Sequence, residues 1–100
     1  MHTTSLTLVT IVAESLLQNR LIEEITAAGA KGYTLTPCEG SGSRHRRVSE
    51  LLGANIKLET IVSSEVADKL MTVLAKDYFP KFAIIAYLQP TAVIRGDKYV

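Results

Sequence analysis

Residues 55–70 read NIKLETIVSSEVADKL, and the hydrophobic period changes in the middle of that stretch. From 55 to 62 the side chains alternate, with Ile56, Leu58 and Val62 on one side and Lys57, Glu59 and Ile61 on the other. That is the pattern of a half-buried strand. Ser63 or Ser64 then caps a helix that carries Glu65 and Asp68 near its start, where negative charge favours the helix dipole. Val66, Leu70, Val73 and Leu74 recur at helical spacing, and Pro80 marks the end.

The same order occurs upstream. Residues 6–13, LTLVTIVA, are β-branched and apolar and predict a strand. Leu17, Leu21, Ile25 and Ala28, with Ile22 beside them, form a helical stripe, Ser15 and Gln18 fit a capping box, and Gly29 is a natural stop. Residues 30–37, AKGYTLTP, predict a second strand ended by Pro37. Beyond Pro80, KFAIIAYL at 81–88 predicts a fourth strand and TAVIR at 91–95 a short fifth past Pro90.

The order β-α-β, loop, β-α-β in 100 residues predicts one α+β domain spanning 1–100. Its economical arrangement is the ferredoxin-like split βαβ sandwich: a four-stranded antiparallel sheet with two helices on one face. The first and fourth strands are apolar on both sides, yet two helices cover only one. An uncovered apolar sheet face predicts a homo-oligomer packed through its sheets.

Composition narrows the class. The chain is 47% hydrophobic, which excludes a disordered polyampholyte. No apolar run is long enough to span a bilayer, and residues 1–5 lack the layout of a signal peptide, so a cytoplasmic protein without direct membrane insertion is expected. The single cysteine, Cys38, cannot form an internal disulfide. Eleven Lys and Arg against ten Asp and Glu leave a formal charge of +1, not the excess of a nucleic-acid binder.

Charge is instead concentrated locally. Residues 39–50 read EGSGSRHRRVSE, a glycine/serine run leading into Arg44, His45, Arg46 and Arg47. Glycines allow close backbone approach and anion-binding nests, and arginine adds a fork of donors matched to phosphate or carboxylate. A flexible loop over about 39–54 is therefore chemically suited to a polyphosphate, although a short basic run is more often simply solvated. It is neither a P-loop nor a dinucleotide fingerprint, since no helix opens behind the glycines. No aromatic platform is interleaved, which argues against nucleic acid. His2 and His45 lack metal-ligand spacing, Cys38 with His45 lacks an orienting third group, and no carboxylate pair suggests acid–base chemistry. Nothing in these residues indicates an enzyme, and no metal site or catalytic residue is assigned.

The strand order together with AKGYT (30–34), GSR-x-x-R (42–47), ANIK-x-E (54–59) and LVTIVAE (8–14) resembles the PII signalling superfamily, and within it the cyanobacterial, bicarbonate-transporter-associated SbtB type. The resemblance implies a homotrimer whose inter-subunit clefts bind AMP, ADP, ATP and cAMP as effectors, with a divalent cation available to bridge ATP phosphates. It implies that Gly42, Ser43, Arg44 and Arg47 contact phosphate. Gly32, Tyr33, Thr34, Lys57, Glu59 and Ile61 would line the base and ribose pocket, and Arg95 would reach phosphates.

The implied function is nucleotide-dependent control of an SbtA-like sodium-dependent bicarbonate transporter, to which a cytoplasmic protein is peripherally recruited. Alternatives are a weak ATP/ADP hydrolase using the same cleft, a carboxysome-linked PII-like nucleotide binder, and a scaffold without ligand. Two departures from relatives stand out. The stretch AKDYFPKFA lacks the glycine-and-lysine loop of PII proteins, and the ending RGDKYV has no cysteine pair.

Overall fold

The structure, a computed structural model, describes residues 1–40 and 55–100. Strand β1 (Thr4–Glu14) leads through a 3-10 turn (Ser15–Leu17) into helix α1 (Gln18–Ala28), and β2 (Thr34–Cys38) follows. The second half consists of β3 (Asn55–Val62), helix α2 (Ser64–Val73) prolonged by a π turn (Leu74–Tyr78), β4 (Ile85–Val93) and a 3-10 turn at Gly96–Lys98. The strands form one four-stranded antiparallel sheet in the order β2-β3-β1-β4, with both helices on one face. This is the ferredoxin-like arrangement expected from the sequence.

Alternation along β1 and β3 decides which side chains meet the helices. Val9, Ile11 and Ala13 of β1 and Leu58 and Val62 of β3 are buried with Leu21 and Ile25 of α1 and with Ala67, Leu70 and Leu74 of the second helical segment. Ala67, rather than Val66 or Val73, is the deepest residue in the early part of that stripe, because a small side chain lets the helix sit close to the sheet. Ser63 caps α2 by accepting a hydrogen bond from the Val66 N–H at 3.2 Å. Gly29 ends α1 with φ 123°, donating to the Ile25 and Thr26 carbonyls. A side chain there would also press on Val66. The positive φ is what favours glycine here, and the tight contact with Val66 adds to it.

Three local expectations are corrected. The Ser15–Gln18 capping box is not made: the chain passes through a 3-10 turn, and Leu17 occupies the N-cap of α1 without a side-chain cap. The second strand begins at Thr34, not residue 30, and runs through Pro37 to Cys38. The separate fourth and fifth strands are one strand that crosses Pro90, which lies opposite Thr7. Both prolines are tolerated because β2 and β4 are the edge strands of the sheet, where a missing N–H need not break a ladder. Residues 81–84 are excluded from β4 because their backbone is committed to turns: Lys81 and Phe82 donate to the Tyr78 carbonyl, and Ile84 to that of Phe82.

The π turn sets Leu74 and Tyr78 both inward, at 0% and 2% exposure. The Tyr78 hydroxyl donates to Glu24 Oε2 at 2.8 Å, tying α1 to the end of the second helical segment. The Arg20 guanidinium lies 5.1 Å from the Tyr78 ring centroid and 5.5 Å from that of Phe82, within cation–π range. Burial pushes the Tyr78 phenol above its ordinary value of 10.0, the hydrogen bond to Glu24 adds to this, and Arg20 opposes it. A raised folded-state value means that this stabilisation is complete below pH about 10 and is lost as pH rises through the folded value. Tyr78→Phe is expected to cost about 1 kcal/mol at neutral pH. Denaturant midpoints measured from pH 7 upward should show the gap to the wild type closing above pH about 10. A gap that stays constant would mean that the hydroxyl contributes nothing through its proton.

Helices cover one side of the sheet only. On the other, Leu8 and Val12 of β1, Ile61 of β3 and Ile85 and Tyr87 of β4 share an open face, with Ile85 60% and Tyr87 44% exposed. Lys57 and Glu59 project onto the same face.

Candidate functional site

Beyond Gly29 the chain crosses from α1 to β2 through residues 30–33, which form no regular element. The crossing is fixed to the sheet by Thr60, whose hydroxyl donates to the Gly32 carbonyl at 2.6 Å. Thr34 then starts β2 opposite Glu59, so the crossing and the far half of β3 lie side by side.

A third wall comes from the other end of the chain. Arg95 adopts the left-handed conformation (φ 64°, ψ 50°) and reverses the chain after β4. The Lys98 N–H closes the turn on the Arg95 carbonyl at 3.0 Å, and the Tyr99 N–H on that of Gly96 at 3.1 Å. Gly96 is pressed so closely against Thr4 that a Cβ would overlap its side chain. This close approach lays the last residues back along β1.

The three walls enclose a cleft of about 490 Å³. Lys31, Gly32, Tyr33 and Thr34 form one side, Leu8, Glu59, Thr60 and Ile61 the floor, and Lys98 and Tyr99 the third side. Lys31 and Lys98 bring positive charge and Glu59 negative charge, and among the described residues none of the three has an ion-pair partner. Tyr33 is 49% exposed. A flat ring, the apolar side chains of Leu8 and Ile61, backbone at a glycine and two lysines together are fit for an anionic ligand with a planar part.

Gly32, Tyr33, Thr34, Glu59 and Ile61, singled out in the sequence, are thus brought together. Lys57 stands one alternation further along β3, opposite Thr36 and Val12, outside the cleft lining. Arg95 is also outside the lining, and its visible contribution is the backbone turn. Gly42, Ser43, Arg44 and Arg47, and most of the 39–54 loop, lie outside the described residues. Lys31, Lys98, Tyr99, Leu8 and Thr60 were not anticipated. Lys31 lies inside the quoted AKGYT, and Arg95-Gly96 was the signal of a turn that could return Lys98 and Tyr99.

Among the described residues no cluster of three or more His, Cys, Asp or Glu is placed to hold a metal ion, and no helix is long and apolar enough to cross a membrane.

The family model described as nitrogen regulatory protein P-II matches residues 6–98. A PII-like signalling protein of Thermus thermophilus is 55% identical over 100% of both chains, with a TM-score of 0.88. CPII of Thiomonas intermedia, solved with ADP, AMP and acetate, shares the fold at 21% identity and a TM-score of 0.85, over 99% of this chain and 98% of that one. The same protein solved with ADP, AMP and bicarbonate matches at 22% identity and a TM-score of 0.85, over 98% and 96%.

Proposed function

The chain belongs to the PII family of nitrogen regulatory proteins, and from that premise we propose that it is an adenine-nucleotide sensor whose ligand sits in the cleft between residues 31–34, β3 and the C-terminal turn. The observation that carries this reading is the convergence of Gly32, Tyr33, Thr34, Glu59 and Ile61 on one cavity. The ADP and AMP held by CPII support the choice of ligand class. Tyr33 and Ile61 offer surface for the base, Glu59 accepts from ribose hydroxyls, and Lys31 and Lys98 face phosphate. AMP, ADP, ATP and cAMP are the effectors of this reading, and a divalent cation, where ATP carries one, would offset the charge of its phosphates.

The protein acts as a homotrimer in which a neighbouring subunit completes each cleft, and it regulates rather than catalyses. Arg44 and Arg47, with Gly42 and Ser43, clamp the phosphates. These contacts offset the roughly 1–2 kcal/mol per residue needed to fix backbone in one conformation. Nucleotides with different phosphate numbers then select different loop shapes for the partner.

That partner is a sodium-dependent bicarbonate transporter to which the cytoplasmic trimer is recruited. The motif resemblance supports it, and so does the structure of CPII bound to ADP, AMP and bicarbonate. A switch of this kind requires the partner's affinity to differ between nucleotide states. Binding to transporter-containing vesicles should therefore change when ATP replaces AMP, and equal binding in both would remove the switching role.

Gly32 provides the test of the cleft. Its φ lies outside the left-handed range and nothing stands within 4 Å of a would-be Cβ, so the fold does not need glycine there. Gly32→Ala is expected to leave unliganded stability unchanged, or to raise it by up to about 1 kcal/mol. ADP affinity should fall at least roughly tenfold, about 1.4 kcal/mol, as the methyl intrudes on the ligand. Wild-type affinity in Gly32→Ala, read by calorimetry, would place the ligand elsewhere.

A further inference from the structure

The inward row of β3 reads Ile56, Leu58, Thr60, Val62, three apolar side chains and one hydroxyl. Thr60 is only 3% exposed and lies opposite Val9 of β1, in the layer that packs on the helices. Packing alone would be served as well by the isosteric valine, which needs no hydrogen-bond partner. A buried hydroxyl is acceptable only where it is satisfied. The Thr60 hydroxyl has such a partner, 28 residues away in sequence, in the Gly32 carbonyl.

The acceptor is equally telling. Gly32 belongs to the irregular crossing between α1 and β2, and its own glycine character is not demanded by space or by φ. Both ends of this bond therefore exceed what the core requires, and both border the cleft. The half-exposed Tyr33 ring is carried by the very next residue, and Thr34 begins the ladder after it. Fixing one carbonyl thus restricts the whole rim from Gly32 to Thr34.

We infer that Thr60 is a positioning residue for the cleft: through the Gly32 carbonyl it holds the 31–34 rim, and with it Tyr33, at the setting a nucleotide requires. The inference rests on the reading of the cleft as the nucleotide site. Thr60 does not itself serve as the base-recognising group. It removes motion that a ligand would otherwise have to arrest, so its contribution to affinity is preorganisation.

The experiment compares wild type, Thr60→Val and Thr60→Ser in two ways: amide hydrogen exchange without ligand, and calorimetric binding of ADP. In Thr60→Val, exchange at residues 31–34 should quicken roughly tenfold or more relative to β1 and β3. ADP should bind roughly tenfold more weakly, and Thr60→Ser should restore both to within about twofold. Uniform acceleration over the whole sheet, or none at 31–34, would overturn the latch. So would a loosened rim with ADP affinity unchanged, or a serine variant as impaired as the valine. If the wild type takes up no ADP, the proposed function fails, while the exchange data still decide whether Thr60 holds the rim.

Discussion

Replacing Arg44 and Arg47 together by alanine is expected to weaken ADP binding by roughly 10²- to 10⁴-fold. Each arginine contributes a charge-assisted hydrogen bond to phosphate, about 1.5–3 kcal/mol per contact, and every 1.4 kcal/mol is tenfold in affinity. The core that holds the fold together is built from the strands and helices on either side of this loop, so the melting temperature without ligand should hardly move. Calorimetry with ADP and with AMP on the same variant adds a second reading. If the arginines act on phosphate, the loss should be larger for the nucleotide with more phosphate. Equal affinity in wild type and variant would instead assign the arginines to the partner surface. It would leave Lys31 and Lys98, which line the cleft directly, as the phosphate-facing cations.

The second large effect concerns assembly. Ile85 and Tyr87 lie on the sheet face opposite the helices, 60% and 44% exposed, beside Val12 and Thr10 of β1. A patch of this kind, continuous with Leu8 and Ile61, is the face through which a trimer would close. Introducing Ile85→Asp or Tyr87→Asp would bury a carboxylate without a partner. Its cost lies well above the roughly 1–3 kcal/mol of an unpaired neutral polar group, and three-fold symmetry repeats it at every subunit. Either substitution should convert the trimer to monomers at micromolar concentration in sedimentation velocity. ADP affinity should be lost with the trimer if a neighbouring subunit completes the cleft. A variant that still sediments as a trimer would show that the open face is not the interface.

Much of the architecture was legible because single residues carry it. NIKLETIV alternates without a break and is β3 from Asn55 to Val62, and Ser63 and Gly29 punctuate helices where their chemistry predicts. Pro37 and Pro90 misled, since a proline reads as a strand end until the strand is known to lie at an edge. Edge position is a property of the whole sheet, not of the neighbouring residues. Ser15 misled because a capping residue is only one way to start a helix, and here a 3-10 turn intervenes.

The site divided in the same way. AKGYT, in the crossing that leads into β2, and Glu59 of ANIK-x-E in β3 were legible as motifs, with Ile61 the next outward residue of that strand. Lys98 and Tyr99 were not, because their place depends on a left-handed Arg95 and on the contact of Gly96 with Thr4, at the opposite end of the chain. Thr60 was hidden for a different reason. In an alternating strand it reads as one more inward β-branched residue, and only its hydrogen bond to Gly32 separates it from a valine.

The most direct test of nucleotide sensing is a calorimetric titration of the wild-type protein with ADP. The account predicts saturable binding at one nucleotide per chain. It also predicts stabilisation against unfolding of about 2.7 kcal/mol when free ADP stands at 100 times its dissociation constant. A titration without saturable heat up to millimolar ADP, with no stabilisation of the fold, would contradict it and leave the cleft without its proposed ligand.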